Sequence, residues 1–578
     1  MSLKFDFKYT YLSFEPAYHF CDDTEYDENT LKFFAEAFST LVNGKSPNLN
    51  VNNYIDKWAK TLLGNDTFIG HIPFTGTGEF EFKVKANSIL IGTINKSNRY
   101  KLQLPSTINS KRIVLNGIEC KDPDLLFYNT SQNSMYTDFH PMRGLVTNSP
   151  YDLAFGSKIP RNSINLGVIC PVNYSIEFRE FLSEINNRHS VQFNTDYVIP
   201  FPGFFNAFDT GLNVPLTSES NWAEINPPFN SDQTLAINEF RESILRQIDN
   251  LSSNGTDVIV IYIPNEYEIF TMQDNYDLHD IVKAYAAQKN IATQFIREKT
   301  IESNLQCQIM WALSLAIYVK SCHVPWVVSA MRPDTAFAGI GYSINKSKNG
   351  TNIVVGCSHL YSADGQGLKY KLSKLKDFYL DKRNNPFLTE DEAYKLGLNI
   401  KELFYKSFTE LPKRVVIHKR TPFKKEEVDG LVKCLSSAGI SDIQLLEINY
   451  EDGAMSFAYD KNFDIDKFPV RRGLCFPING NTMLLYTHGI APSVRNPFFK
   501  YIQGGKTVPI PLKIVNHYGS GDMVQIATEI LGLSKMNWNS FGLYSKLPCT
   551  IESSNQLARI GWLLSQYEGT IYDYRFFM

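Results

Sequence analysis

Four polar side chains between Asp277 and Lys320 are of the right types to hold an anion: His279, Lys283, Gln294 and Lys320. A helix is predicted to end near Lys289-Asn290, because Leu278, Ile281, Val282 and Tyr285 form an apolar stripe at helical spacing. His279 and Lys283 lie four residues apart on the other face, so both reach one surface spot. Ile291-Ala292-Thr293-Gln294-Phe295-Ile296 reads as a short strand, and the long helix after it closes with Lys320. One ring donor, one amide and two ammonium groups on a helix–strand–helix unit suit a terminal phosphate. Point charges and amide donors satisfy its oxygens without a shaped apolar pocket. A surface helix with a solvated lysine and a satisfied histidine accounts for this stretch, taken alone, equally well.

Other chemistries find less support. Asp364-Gly365-Gln366-Gly367 is a hairpin turn with no GK[ST] after it, and the chain has no G-x-S-x-G and no H-E-x-x-H. His517-Tyr518-Gly519-Ser520-Gly521-Asp522 is a glycine-rich turn before a helix. Such a helix start can touch a backbone phosphate, although a structural turn is the stronger reading.

The elements that must position these groups belong to a chain of 578 residues, enough for about three or four domains. Apolar content of 43% and charged content of 20% describe an ordinary globular protein. No window approaches the run of about 18 apolar residues that a membrane helix needs, and MSLKFDFKYTYLSFEP lacks the apolar core of a signal peptide. Nine scattered cysteines without a CxxC pair fit a reducing compartment, so a cytoplasmic location is expected. Net charge is −3, but residues 413–425, KRVVIHKRTPFKK, are strongly basic, while Asp22, Asp23, Glu25, Asp27 and Glu28 make the start acidic. That asymmetry suits a nucleic-acid channel remote from an acidic lobe, and a solvated charged face nearly as well.

The pattern of elements changes twice along the chain. Residues 1–160 are strand-rich, with helical patterns near 29–42 and 52–62 and a turn-rich boundary at Pro141-Met142-Arg143-Gly144-Leu145 and Ser149-Pro150-Tyr151-Asp152. INLGVICP (164–171), helices at 176–187 and 232–250, DVIVIYIP (257–264) and the His279 helix alternate as in a parallel α/β sheet. Beyond about Pro325 come FAGIGYSIN, NIVVGCSHLYS and KYKLSKL, three meandering strands, then a helix at 389–409. RVVIHKR, a helix at 424–439 with Gly439 as its cap, and DIQLLEINY follow. Meander, helix, strand, helix, strand is the order of the ribonuclease-H fold.

Read in order, INLGVICP, the His279/Lys283/Gln294/Lys320 series, FAGIGYS, VVIHKRTPF and LGLSKMNWNSFGLYSKLPCTIESSNQLARIG resemble the MID and PIWI domains of prokaryotic Argonautes. The resemblance spans about residues 140–578. It implies a multidomain α/β chain: a strand-rich α+β N/linker (APAZ-like) region at 1–160 without PAZ, a Rossmann-like MID domain at 161–325 and a ribonuclease-H-like PIWI domain at 326–578. It casts His279, Lys283, Gln294 and Lys320 as the pocket for a guide 5′-phosphate, with a Mg²⁺ ion for which Gln294 and Met578 are the candidate ligands.

Active PIWI domains place carboxylates where this chain has Gly341, Arg420 and Ser554 or Asn555. A glycine cannot ligate and an arginine puts a cation where two metals would sit; Asp334 and Asp364 are not placed to substitute. The resemblance therefore implies a catalytically inactive protein that holds a short 5′-phosphorylated guide, RNA favoured. It would recognise complementary single-stranded target, DNA favoured, and signal through a separately encoded effector in defence against plasmids or phages. The effector surface is expected on the N-terminal lobe, around residues 22–28 and the helix at 29–42. The alternative is an interaction protein with a relict PIWI fold and no guide.

Overall fold

The computed structural model describes the chain from residue 117 to Met578, leaving aside residues 159–162, 192–197, 274–275, 330–331, 333, 348–349, 362–368, 408–410, 451–471, 491–501, 504–509 and 565–569. Before residue 117 it describes strand segments only. The expected helices at 29–42 and 52–62, the acidic residues 22–28 and the Asp364 turn lie outside the described residues.

The alternating region forms a parallel sheet. Strands β1 (Ser163–Pro171), β2 (Val258–Ile263) and β3 (Ala292–Arg297) pair in that order, and the short strands Gly211–Asn213 and Trp222–Ile225 also pair with β1. Every residue of β2 is buried, because helices cover both faces. Val258, Val260 and Tyr262 pack into one core with Phe178 and Trp311, while Ile259, Ile261 and Ile263 pack into another with Phe240, Ile244 and Val282. Helix α1 (Leu278–Gln288) precedes β3, and α2 (Gln306–Lys320) follows it after a short helix, Glu298–Ile301, that the sequence pattern does not show. Ten of the fifteen residues of α2 are buried, consistent with its lack of a polar stripe.

The second sheet has eleven strands. Its centre is β4 (Thr335–Ser347), β5 (Gly350–Tyr361) and β6 (Lys369–Lys374), an antiparallel meander, then β7 (Arg414–Lys419) parallel to β4 and β8 (Asp442–Tyr450) parallel to β7. This is the expected ribonuclease-H order. Helices α3 (Glu390–Ser407) and α4 (Lys425–Ser436) cover one face, where Ala338, Ile340, Val415 and Ile417 meet Leu396, Ile400 and Leu431. Gly439 takes φ +83° just past α4, as a helix end requires. The sheet continues through β9 (Leu512–Tyr518), antiparallel to β8, and through Thr482–Leu485 and Leu474–Pro477, which sequence periodicity did not reveal. Helix α5 (Met523–Leu533) follows β9, and α6 (Cys549–Leu564) packs on β4.

Two findings differ from the sequence reading. Pro141–Thr147 is a helix rather than a turn: proline is compatible with its first turn, and the His140 ring accepts from the Arg143 amide at 3.4 Å. Its Gly144 lies against Phe127, whose ring would be 2.1 Å from an added Cβ. In addition, Gly117–Glu119 pairs with Leu474–Pro477, and Leu125–Asn129 pairs with Val327–Val328. Segments before residue 140 therefore share sheets with strands from later in the chain. Among the described residues, no helix is long and apolar enough to cross a membrane.

Candidate functional site

The four polar residues converge. Asp277 caps α1 by accepting from the His279 amide at 2.9 Å, which turns the His279 side chain toward β3. The imidazole lies 5.2 Å from the Phe295 ring centroid, and its Nδ1 is 3.2 Å from Asp280 Oδ1. Burial, with help from the Lys283 charge and against the pull of Asp280, holds its pKa below the ordinary histidine value, so at neutral pH the ring is neutral. Lys283, one turn on and 4% exposed, donates to the Phe577 carbonyl at 3.1 Å and to an oxygen of the Met578 terminal carboxylate.

Lys320, also 4% exposed, donates to the Thr293 carbonyl at 2.9 Å and to Gln294 Oε1 at 2.6 Å. Burial first, and the nearby Lys283 charge second, push its pKa well below the usual lysine value. Gln294 Nε2 donates to the Phe295 carbonyl at 2.8 Å. The result is a buried polar site at the start of a helix, where Lys283 and Lys320 lie close to His279, Asp277 and Asp280. An anion there relieves the desolvation of Lys320, which no carboxylate partners among the described residues.

Sequence reasoning missed Asp277 and Asp280, although an aspartate immediately before a helix is itself a capping signal. With His279 they bring three ligating atoms within 4.8 Å of one another. Of the two residues expected to hold Mg²⁺, the Gln294 amide oxygen accepts from Lys320 and an oxygen of the Met578 terminal carboxylate accepts from Lys283.

A second polar face lies where β4, β5 and β7 meet α6. Gly341 stands opposite Gly356 on β5, and a Cβ built on it would come 2.3 Å from the Ser554 carbonyl oxygen. Ser554 is buried and its hydroxyl donates to the Thr550 carbonyl at 2.5 Å; Asn555 is exposed. Arg420 follows β7 and donates to Asn449 Oδ1 at 3.0 Å, with the Tyr450 ring centroid 6.0 Å away. Two residues before it, His418 bonds Thr550 Oγ1 at 2.8 Å and is held neutral, its pKa driven down to about 3 chiefly by burial. Burial raises Glu552 on α6 to about 7.

No protein-family model matches the chain. Over 323 residues it is 21% identical to the argonaute protein of Aquifex aeolicus, covering 56% of this chain and 41% of that one. The structure of Clostridium butyricum Argonaute bound to a guide DNA and a 19-mer target DNA superposes with a TM-score of 0.56. That match is at 18% identity, over 79% of this chain and 54% of the other. This chain has the Argonaute fold. A crystal structure of A. aeolicus Argonaute also matches, with a TM-score of 0.50 at 19% identity over 80% of this chain and 55% of that one. The chain thus spans roughly half the length of the Argonautes it matches.

Within this Argonaute fold, tertiary pairing sorts the basic run at 413–425. Arg414 is spent on Glu529 at 2.6 Å and Lys419 on Glu427 at 2.6 Å, both pairs buried. Lys413, Lys424 and Lys425 are exposed and Arg420 is half-buried. The glycine-rich turn resolves as structural: Gly519 has φ +97° against the Ile443 carbonyl, Gly521 abuts Gln444, and Asp522 caps α5. The Gly341 contact yields a prediction. Gly341→Asp forces side-chain atoms into the α6 backbone and should cost about 3 kcal/mol or more of stability. Denaturant unfolding checks this, and wild-type stability in the variant would show that the space exists.

Proposed function

We propose that this chain binds a short 5′-phosphorylated guide and uses it to recognise complementary nucleic acid without cutting it. The pocket of His279, Lys283, Gln294 and Lys320 receives the guide's terminal phosphate, and the observation that carries the reading is Lys320: a buried lysine met by a carbonyl and an amide oxygen, with no carboxylate partner among the described residues. A phosphate supplies the missing negative charge through short charge-assisted bonds. Residues 161–325 then act as a MID domain and 326–578 as a PIWI domain, with 1–160 as an N/APAZ-like region.

The non-cleaving reading rests on the second face. Two-metal hydrolysis needs carboxylates that clamp two ions about 3.5–4 Å apart. Gly341 has no room for a side chain, Ser554 is tied to its own helix, and Arg420 brings a cation. Output then passes to a separate effector as a shift in population, because binding energy alone makes no covalent change. RNA guide, DNA target and a role in defence complete the reading, by analogy with inactive Argonautes.

The test is to extract nucleic acid from the purified chain and compare 5′-end labelling before and after phosphatase. Short molecules that label only after phosphatase are expected, and sequencing identifies RNA or DNA. Loaded protein with Mg²⁺ or Mn²⁺ should leave a complementary target whole. Absence of any bound short nucleic acid, or a product cut at one guided phosphodiester, overturns the proposal.

A further inference from the structure

We infer that Arg420 is a phosphodiester clamp for the target strand: its guanidinium binds one backbone phosphate directly, at the face where an active relative would hold metal ions. The inference rests on the guide-binding reading above and extends it to a specific contact. Three observations carry it.

The first is position. Along β7, His418 faces α6 together with Gly341 of β4, Val415, Ile417 and Lys419 face the opposite core, and Arg420 is the first residue past the strand, beside Asn449 and Tyr450 of β8. Arg420 leaves the carboxyl end of a parallel strand, beside Tyr450 at the end of parallel β8. Ligands of open α/β sheets collect at such strand ends.

The second is unspent binding capacity. The other two basic residues of this strand are neutralised: Arg414 by Glu529, and Lys419 by Glu427 at 2.6 Å. Arg420 has no carboxylate partner among the described residues. One of its donors is taken by the neutral Asn449 oxygen at 3.0 Å, which fixes the plane of the group and leaves the rest of the fork available. A guanidinium fork matches the two non-bridging oxygens of a phosphodiester. The Tyr450 ring beside it gives the cation a polarizable flank without using its donors.

The third is closure of the alternative. With the Ser554 carbonyl pressed on Gly341, no carboxylate fits at the centre of this face. Glu552 on α6 loses most of its charge as pH falls below about 7, because burial favours its neutral form. Arg420 keeps its charge across this range, while Glu552 is only partly ionised near pH 7. The contact holds the strand without activating a nucleophile, so it adds affinity and no chemistry.

The experiment compares wild type, Arg420→Ala, Arg420→Gln and Arg420→Lys, each loaded with the same 5′-phosphorylated guide, binding a complementary single strand across a salt series. Guide loading is measured separately for every variant. Arg420→Ala should bind target about tenfold more weakly and loosen equally for several sequences. Its log–log salt slope should be shallower by about one, with guide loading unchanged. Arg420→Gln keeps a donor toward Asn449 and loses the charge, so it controls for folding and should show the same change in slope; Arg420→Lys should fall between. If guide loads and both neutral variants bind target within twofold of wild type with its slope, the clamp is wrong and the guide pocket stands. If wild type loads no guide, the pocket reading fails first and the clamp falls with it.

Discussion

Replacing Lys283 and Lys320 together by alanine should abolish the preference for a 5′-phosphorylated over a 5′-hydroxyl guide. Each lysine contributes a charge-assisted contact worth about 1.5–3 kcal/mol, so losing both lowers affinity for the phosphorylated end on the order of a hundredfold or more. The hydroxyl guide, which never makes these contacts, should bind as before. Competition between the two guides measures the ratio, and a double variant that discriminates as wild type does would show that the phosphate sits elsewhere.

The pocket also sets a pH dependence. Burial and the neighbouring Lys283 charge hold Lys320 well below its ordinary pKa in the unliganded protein. A phosphate beside it favours the charged form and moves that pKa back up. Binding therefore takes up a proton once pH exceeds the lowered Lys320 pKa. Affinity is full below that pKa and declines as pH rises through it toward the usual lysine range. Lys320→Ala should flatten this limb of the profile.

A chain beginning at residue 141 should not fold. The deletion removes Ile118, Leu125 and Phe127, all at most 1% exposed, together with the strands that pair with Leu474–Pro477 and Val327–Val328. Burying three such side chains is worth about 1.5–3 kcal/mol each. It also removes Asp122, which lies 3.0 Å from Arg472 and 3.1 Å from Lys535, and the Pro123 carbonyl that accepts from Lys535 at 2.6 Å. Burial works to raise the Asp122 pKa, but the two cations outweigh it and hold the carboxyl below its ordinary value. Without it, two buried cations lose a half-exposed counter-ion, which adds to the loss.

The total, on the order of 10 kcal/mol, matches the whole stability of a typical domain of about 5–15 kcal/mol. Soluble yield and a cooperative thermal transition compare the shortened chain with the full one. A cooperative transition within a few degrees of the full chain's would show that these segments are dispensable. The same packing bears on any search for an effector surface: a chain cut near residue 140 loses part of its core along with the N-terminal lobe.

What the sequence determined by itself is local. The apolar spacing of Leu278, Ile281, Val282 and Tyr285 dictates a helix, and a helix dictates that His279 and Lys283 share a face. The unbroken run VIVIYI dictates a strand covered on both sides. Glycine at 341 excludes a ligand there whatever the fold. The tertiary structure alone decided which charges remain available. Arg414, Lys419 and Arg420 are equally basic as letters, yet two are neutralised by Glu529 and Glu427 and one is not. Likewise only the fold brings the Phe577 carbonyl and the Met578 terminal carboxylate to Lys283, Gln294 to Lys320, and Gly117–Glu119 to the edge of Leu474–Pro477. The reason is one of range. Periodicity reports on neighbours within a turn or a pleat, whereas pairing and burial of charge depend on which distant surfaces pack together.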